Sequence, residues 1–555
     1  MGWFSDIVFR LGLSYRGGKA YKALQRAAAS PQAAQVHALK RILRANRGTA
    51  FAADHGFSGI RTIDDFRARV PLSTYEDLRP YIDRQIAGER AIVSEKPLMY
   101  ARTSGTLSAP KLIPITPSAL KRVVKVQAAM AYAYLQACDM YSGKILLLSG
   151  ATHEDSLGDG TPIGSVTGLI YETMPKAIRQ KYVVPAEVFS IDNAALKYAI
   201  VAHLALKHEN LTAVSTANPS TFLRLRDYFQ QNWAQMIVDV RRGHLDGIES
   251  LPPAIYRAVK RAISPATKRA AHLDHLSQID QTSIHDLWPN LKGVVTWTGG
   301  SCAIAAQAVR RAIHVDTRLI EAGYVASELR GTAVLDVTRN LALPLLEDVF
   351  FEFIPSAEWD EGRRSTLLVH ELVEGKDYQV IVTTLNGLYR YVMNDILQAG
   401  PRIGRTVSLS FKQKGKGFTS ITGEKLSEQQ VNEAMARLGE AVAGEIRFYV
   451  VLADEEAAGY MAYLHVHQED GDVPLSKADL SQRIDQLLCS MNIEYAAKRQ
   501  TGRLAPLKVH FLKPETALSY RDFHIARGQR EAQFKVMTLQ YRRESAFDFA
   551  AFVEA

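Results

Sequence analysis

The sequence predicts an α/β protein with a large N-terminal domain of layered sheets and helices and a small α+β C-terminal lid. Three observations carry that expectation. Helical stretches are repeatedly followed by a short apolar run that ends in a small-residue turn, as at 118–138 with 144–150 and at 192–207 with 211–216; a third such run and turn spans 291–301. Helix, buried strand and turn in that order is the signature of a parallel sheet, with ligands expected at the strand ends. A composition break follows at Phe411–Phe418, where two glycines and three lysines fall in eight residues, as an exposed hinge requires. Beyond it the rhythm changes, with helices at 428–441 and 475–492 alternating with strands at 445–452, 460–467 and 507–512. The expected boundaries are therefore 1–410 for the large domain, 411–424 for the hinge and 425–555 for a small mobile domain.

Taken in order, residues 18–50 are Ala-rich with apolar positions near helical spacing. Asp64–Leu72 gives a short helix stopped by Pro71, and Ser73-Thr74-Tyr75-Glu76-Asp77 reads as a capped helix start. A stretch rich in small hydroxyl residues follows. Residues 118–138 form an amphipathic helix, and Lys144–Gly150 is an apolar run bounded by glycines, hence a buried strand. Residues 151–168 are Gly-, Asp- and Thr-rich and read as loop. The 211–216 strand lies between helices 192–207 and 219–240, and 291–301 runs into a Gly-rich turn. Residues 329–354 and 367–384 alternate as strands do, and Gly387–Asp395 closes the region.

At 555 residues the chain exceeds one core, and length alone predicts roughly two to four domains. The hydrophobic share of 47% and charged share of 23% are those of a soluble globular protein. No apolar run approaches the roughly 18 residues of a membrane span, and the start lacks a secretory signal, so no membrane association is expected. Trp3, Phe4, Ile7, Val8 and Leu11 suggest a short amphipathic helix packed on the protein's own body. Cys138, Cys302 and Cys489 are too widely spaced for a disulfide framework or a metal site, and a reducing, cytoplasmic location is expected. The net charge of +9 is scattered; it suits anionic small molecules, and no basic segment interleaved with aromatics points to nucleic acid.

The chemistry concentrates in Tyr100–Pro117, YARTSGTLSAPKLIPITP. Thr103, Ser104, Gly105, Thr106 and Ser108 supply backbone donors without bulk, and Lys111 adds a cation, which together suit a polyphosphate. The order is not that of a Walker A loop. The loop reads as a turn between two strands, or between a strand and the next helix.

Four further motifs follow in order: Gly299-Gly300-Ser301, Tyr324-Val325-Ala326-Ser327-Glu328, Tyr389-Arg390-Tyr391 with Asp395, and Gly423-Glu424-Lys425. With Val70–Tyr75, Tyr81-Ile82, Ile113–Thr116 and Gln533-Phe534-Lys535, they make the chain resemble the Gretchen-Hagen-three family of acyl acid amido synthetases, bacterial-type members included, within the acyl-adenylate-forming superfamily. The resemblance runs from about residue 35 to residue 540. It implies the fold of an adenylate-forming enzyme and an ATP-dependent ligase that makes an acyl-AMP and passes the acyl group to an amine, an amino acid above all.

It also implies roles. Thr103, Ser104, Gly105 and Thr106 would bind ATP phosphates. Gly299, Gly300 and Ser301 would line the adenine and ribose side, with Tyr324 against the adenine and Ser327 beside it. Glu328 would hold Mg²⁺, and Asp395 would accept the ribose hydroxyls. Lys425 and Lys535, on the mobile C-terminal domain, would alternate near phosphate and carboxylate. The chain departs from the family pattern at Leu107, Ala109, the Tyr391-Val392-Met393-Asn394-Asp395 run, Phe534 and Val536-Met537.

The residues by themselves leave other readings open. Asp395 also suits a helix N-cap for Ile396–Gln398. Glu328 also suits a turn carboxylate, and Lys425 a solvated hinge lysine. Cys302 reads as a buried thiol, and His153 and His314 as structural or substrate-lining groups. Two rival functions remain at this level: acyl transfer to a thiol such as coenzyme A or a carrier protein, and a non-catalytic protein that binds nucleotide or acyl ligand. Oligomeric state is not readable from the sequence.

Overall fold

In a computed structural model of the chain, the residues described are 3–102, 111–278, 283–415, 418–422, 424–442, 444–468, 476–527, 529 and 534–554. The chain divides into two compact units. One comprises residues 1–297, 308–393 and 397–410; the other comprises 298–307, 394–396 and 411–555. Two short stretches that the sequence suggested for the large domain, 298–307 and 394–396, thus group with the C-terminal unit.

The large unit is built on a parallel sheet whose strands run in the order Lys144–Leu147, Leu211–Ser215, Gly293–Thr296 and Arg318–Glu321. All four pair in parallel. The two central strands are buried almost throughout, as a sheet covered on both faces demands. One face packs on helices Ala194–Lys207 and Pro219–Arg242, with Leu204, Val214, Phe222, Trp288 and Val294 in one apolar cluster. The other packs on helices Trp3–Ala29 and Pro117–Cys138, through Leu24, Ala129, Ile145, Ala213 and Ile320. These two helices approach closely at Gly17, where a Cβ would lie 2.5 Å from the Ala128 carbonyl oxygen.

The helix expected over 18–50 is interrupted. Helix Trp3–Ala29 ends before Ser30, and Pro31 opens helix Pro31–Ala45 at its first position, where a missing N–H costs nothing. Residues 151–168, expected as loop, carry strands Asp155–Ser156 and Pro162–Gly164 and the start of helix Val166–Thr173. Their composition hid the pairing of Tyr100 with Ile163 and Ala101 with Gly164, which is long-range. A second sheet runs Phe350–Pro355, Asp377–Thr383, Tyr391–Ile403, Thr406–Lys414. Its last strand continues through Phe411 to Lys414, so the first four residues of the expected 411–424 hinge are regular ladder despite their lysines.

The C-terminal unit has a sheet in the order Lys508–Phe511, Gly459–His467, Glu445–Asp454, Leu539–Tyr541. The central pair is antiparallel and both edges add in parallel. Helices Glu428–Ala441 and Lys477–Met491 cover one face, and an aromatic cluster of Phe448, Tyr463, Tyr520, Phe534 and Phe549 covers the other. Among the described residues no helix is long and apolar enough to cross a membrane.

Candidate functional site

Residues Thr103, Ser104, Gly105 and Thr106 lie outside the described residues, but both ends of their loop are described. Strands Met99–Arg102 and Leu112–Ile115 pair antiparallel with Arg102 opposite Leu112. The stretch therefore joins two strands of a hairpin, the first of the two alternatives left open by the sequence.

Each end of that loop is fixed by another motif. At the first end, the buried Ser327 hydroxyl donates to the Arg102 carbonyl at 3.2 Å. Ser327 belongs to a turn in which the Ala326 N–H donates to the Leu329 carbonyl, and Glu328 sits half-buried at its tip. The turn is anchored in turn by Tyr324, whose N–H donates to the Thr332 hydroxyl at 2.7 Å. At the other end, Lys111 donates to the Tyr391 hydroxyl at 3.0 Å and lies 5.7 Å from the ring centres of both Tyr391 and Tyr75. The Leu112 N–H donates to the Tyr75 hydroxyl at 2.8 Å. Burial raises the pKa of that phenol, which keeps it a neutral acceptor.

Tyr75 and Tyr391 are themselves tied together. The Ser73 N–H donates to the Arg390 carbonyl and the Val392 N–H to the Ser73 carbonyl, while the Ser73 hydroxyl donates to the Tyr389 carbonyl. The Arg390 guanidinium donates to Glu352 at 2.9 Å and to the Val70 carbonyl at 3.0 Å. Glu352 is fully buried and accepts from Arg67 as well at 3.0 Å, so one carboxylate serves two guanidinium groups. Arg390 holds a φ of 44° inside this network. Its role is to clamp the 70–75 segment on the sheet, which nothing in the sequence order announces.

At the C-terminal edge of the parallel sheet, the Trp297 N–H donates to the Ala217 carbonyl, and its indole N–H to the Gly323 carbonyl at 3.2 Å. The strand ends at Thr296 and Glu321 are thereby linked just before Gly299 and Tyr324.

In the C-terminal unit, Gly300 has φ +58, and a Cβ there would lie 3.0–3.1 Å from the Phe411 ring. A Cβ on Gly299 would lie 3.1 Å from the Phe411 carbonyl oxygen. The Lys535 ammonium sits 4.7 Å from the Phe411 ring centre. Phe411 thus brings Lys535 beside the Gly299-Gly300 turn, a link hidden in a segment whose lysines and glycines drew attention instead. The Ser301 backbone continues this turn, and Cys302 is buried. Asp395 is buried within strand Tyr391–Ile403, so no helix follows for it to cap. The Asn394 carbonyl accepts from the Gly415 N–H at 2.8 Å.

Gly423 lies outside the described residues. Lys425 is exposed and adopts φ +44. The conformation is held from both sides: Asn492 donates to the Glu424 and Lys425 carbonyls, and the Glu424 carboxylate accepts from the Ile421 and Thr422 N–H groups. Burial pushes the Glu424 pKa up, but these bonds and the Tyr460 hydroxyl outweigh it and leave the carboxyl below its usual range. Glu424 therefore shapes the turn that presents Lys425. Asn492, 67 positions from Lys425, carries no sequence signal for this task.

The GH3 family N-terminal domain matches residues 20–315, the GH3 family central domain 342–414 and the GH3 family C-terminal domain 428–544. A probable indole-3-acetic acid-amido synthetase of Oryza sativa subsp. japonica, GH3.12, is 25% identical over 90% of each chain. The jasmonoyl–L-amino acid synthetase JAR6 of Nicotiana attenuata is 24% identical, again over 90% of each chain. Among solved structures, the acyl acid amido synthetase AtGH3.15 in complex with 2,4-DB shares the fold with a TM-score of 0.86, covering 97% of this chain and 96% of that one at 19% identity. With its N-terminal, central and C-terminal domains matched in order, the chain belongs to the GH3 family.

Proposed function

We propose that this chain is an ATP-dependent acyl acid amido synthetase. It converts a carboxylic acid to acyl-AMP with release of pyrophosphate, then transfers the acyl group to an amine, an amino acid in the first instance. The observation that carries this reading is the anchoring of the 103–110 loop by Ser327 at Arg102 and by Tyr75 and Tyr391 at Lys111-Leu112. Three separated motifs converge on the described residues that flank the small-residue stretch, which is where supports for a polyphosphate cradle are needed. The names of the relatives, an indole-3-acetic acid-amido synthetase and a jasmonoyl–L-amino acid synthetase, support amide over thioester formation.

The chemistry assigns each group a task. A carboxylate is a poor electrophile until its oxygen attacks the ATP α-phosphate. The backbone donors of Thr103, Ser104, Gly105 and Thr106, with Lys111, offset the phosphate charge. Glu328 would be the carboxylate that holds Mg²⁺, a hard cation that favours carboxylate and phosphate oxygens. The half-buried position of Glu328, next to Ser327 and its bond to Arg102, fits that ion; it would neutralise charge on the leaving pyrophosphate. Tyr324 and Gly299-Gly300-Ser301 hold the nucleoside, and Asp395 accepts the ribose hydroxyls. Lys535 and Lys425 act in turn, on a C-terminal domain (425–555) that rotates about a hinge in 411–424 between the half-reactions and excludes water from the adenylate. The three free cysteines suit a cytoplasmic location.

Product mass spectrometry tests the reading. Purified protein receives ATP, Mg²⁺ and a panel of aryl, indole and fatty acids, with mixed amino acids or coenzyme A as acceptor. Amides with AMP are the expected products; thioesters alone would replace the amine with a thiol acceptor.

A further inference from the structure

Arg330 stands two residues beyond Glu328, and its backbone pairs with Val325 across the foot of that turn. Its guanidinium is part-buried in the large unit. One nitrogen, Nη1, reaches the Ala322 carbonyl at 3.3 Å and the Met130 sulfur at 3.5 Å. Both are long, weak contacts for a charged donor with five N–H groups. Among the described residues no carboxylate pairs with Arg330 and it makes no other hydrogen bond. Burial lowers its pKa, and the neutral phenol of Tyr134, on helix Pro117–Cys138, lies beside it with the Glu321 carboxylate also acting on that phenol. Tyr134 is 5% exposed, and its hydroxyl has no hydrogen-bond partner among the described residues. A part-buried cation with no carboxylate partner and a buried phenol with no acceptor among the described residues are both costly, and one anion between them satisfies both.

We propose that Arg330 and Tyr134 receive a second anionic group of the acid substrate, remote from the carboxylate that is activated. The inference rests on the reading of the chain as an acid-activating enzyme. Two features select this ligand. Ser327 turns toward Arg102 and the phosphate-loop end, whereas Arg330 turns toward Ala322 and Met130, so the two ends of the turn serve different sides. The surroundings at Arg330 are apolar on one side, through the buried Met130, which suits a carboxylate carried on an alkyl chain or ring better than a hydrated polyphosphate. The substrate class is thus a dicarboxylic acid: one carboxylate is adenylated, and the other docks on the guanidinium and accepts from the phenol.

Matched acids test this on the full chain: adipate against hexanoate and isophthalate against benzoate, by calorimetric binding and by acid-dependent pyrophosphate release. The wild type is expected to favour the diacid of a pair by on the order of 10- to 100-fold, the range of hydrogen bonds to a charged group. Arg330→Gln is expected to abolish that ratio, and Tyr134→Phe, which keeps the core volume, to reduce it. Equal binding of diacid and monoacid, a ratio retained in Arg330→Gln, or no binding of any of the four acids overturns the proposal; if Arg330→Gln does not fold, an unchanged ratio in Tyr134→Phe does so. Diacid binding that depends on Arg330 without pyrophosphate release from any acid would uphold the docking site and remove the ligase reading instead.

Discussion

His203 makes the large unit acid-sensitive in a calculable way. It lies in helix Ala194–Lys207, is 1% exposed, and neither ring nitrogen has a partner among the described residues. Burial, with Lys207 and His208 adding like charge, holds its pKa down at about 4. The unfolded chain binds this proton near the ordinary value of about 6.5. Above that pH the imidazole is neutral in both states and has no effect. As pH falls through 6.5 the unfolded state takes up the proton and the folded state does not, so stability falls. Linkage between about 4 and about 6.5 gives a loss of about 2 kcal/mol at pH 5, levelling near 3 kcal/mol below pH 4. The assay is denaturant unfolding of wild type and His203→Leu at pH 7.5 and pH 5. Trp288 reports on this helix, because its buried indole N–H donates to the Ala205 carbonyl at 3.2 Å. His208, also held at about 4, titrates in both proteins and cancels. The stability difference between variant and wild type is expected to shift in favour of the variant by about 2 kcal/mol between the two pH values. A difference that does not change with pH refutes the argument that His203 is buried neutral.

Three further outcomes follow from the site. Lys535→Ala is expected to lower acid-dependent pyrophosphate release by on the order of 10²–10³, the size of one lost transition-state contact, and near wild-type release would remove Lys535 from the reaction. Gly300→Val forces a branched side chain into φ +58 and into the Phe411 ring at 3.0 Å; a loss of about 1–2 kcal/mol is expected in thermal unfolding, together with weaker ATP binding by calorimetry. Glu352→Ala leaves Arg67 and Arg390 without their shared carboxylate, and a loss of about 3–5 kcal/mol is expected in denaturant unfolding. A loss below about 1 kcal/mol would mean that the Arg390 clamp is dispensable.

The sequence by itself determined which stretches carry the chemistry. Small hydroxyl residues around Gly105, a lysine close behind, and glycines after a buried strand at 293–296 are local signals, because backbone exposure and small side chains are properties of the residues themselves. The parallel strands were equally legible: burial on both faces writes a continuous apolar run. Sequence reading stopped where a role depends on a partner far along the chain. Arg390 looked like part of a nucleotide motif, and only the fold brings Glu352, Arg67 and Val70 around it. Phe411 looked like the start of a hinge, yet it carries both the Gly300 contact and Lys535. Asn492 and Arg330 gave no signal at all. Hydrogen bonds and buried charges are satisfied in space rather than in sequence, so which residue completes them is decided only when the chain closes on itself.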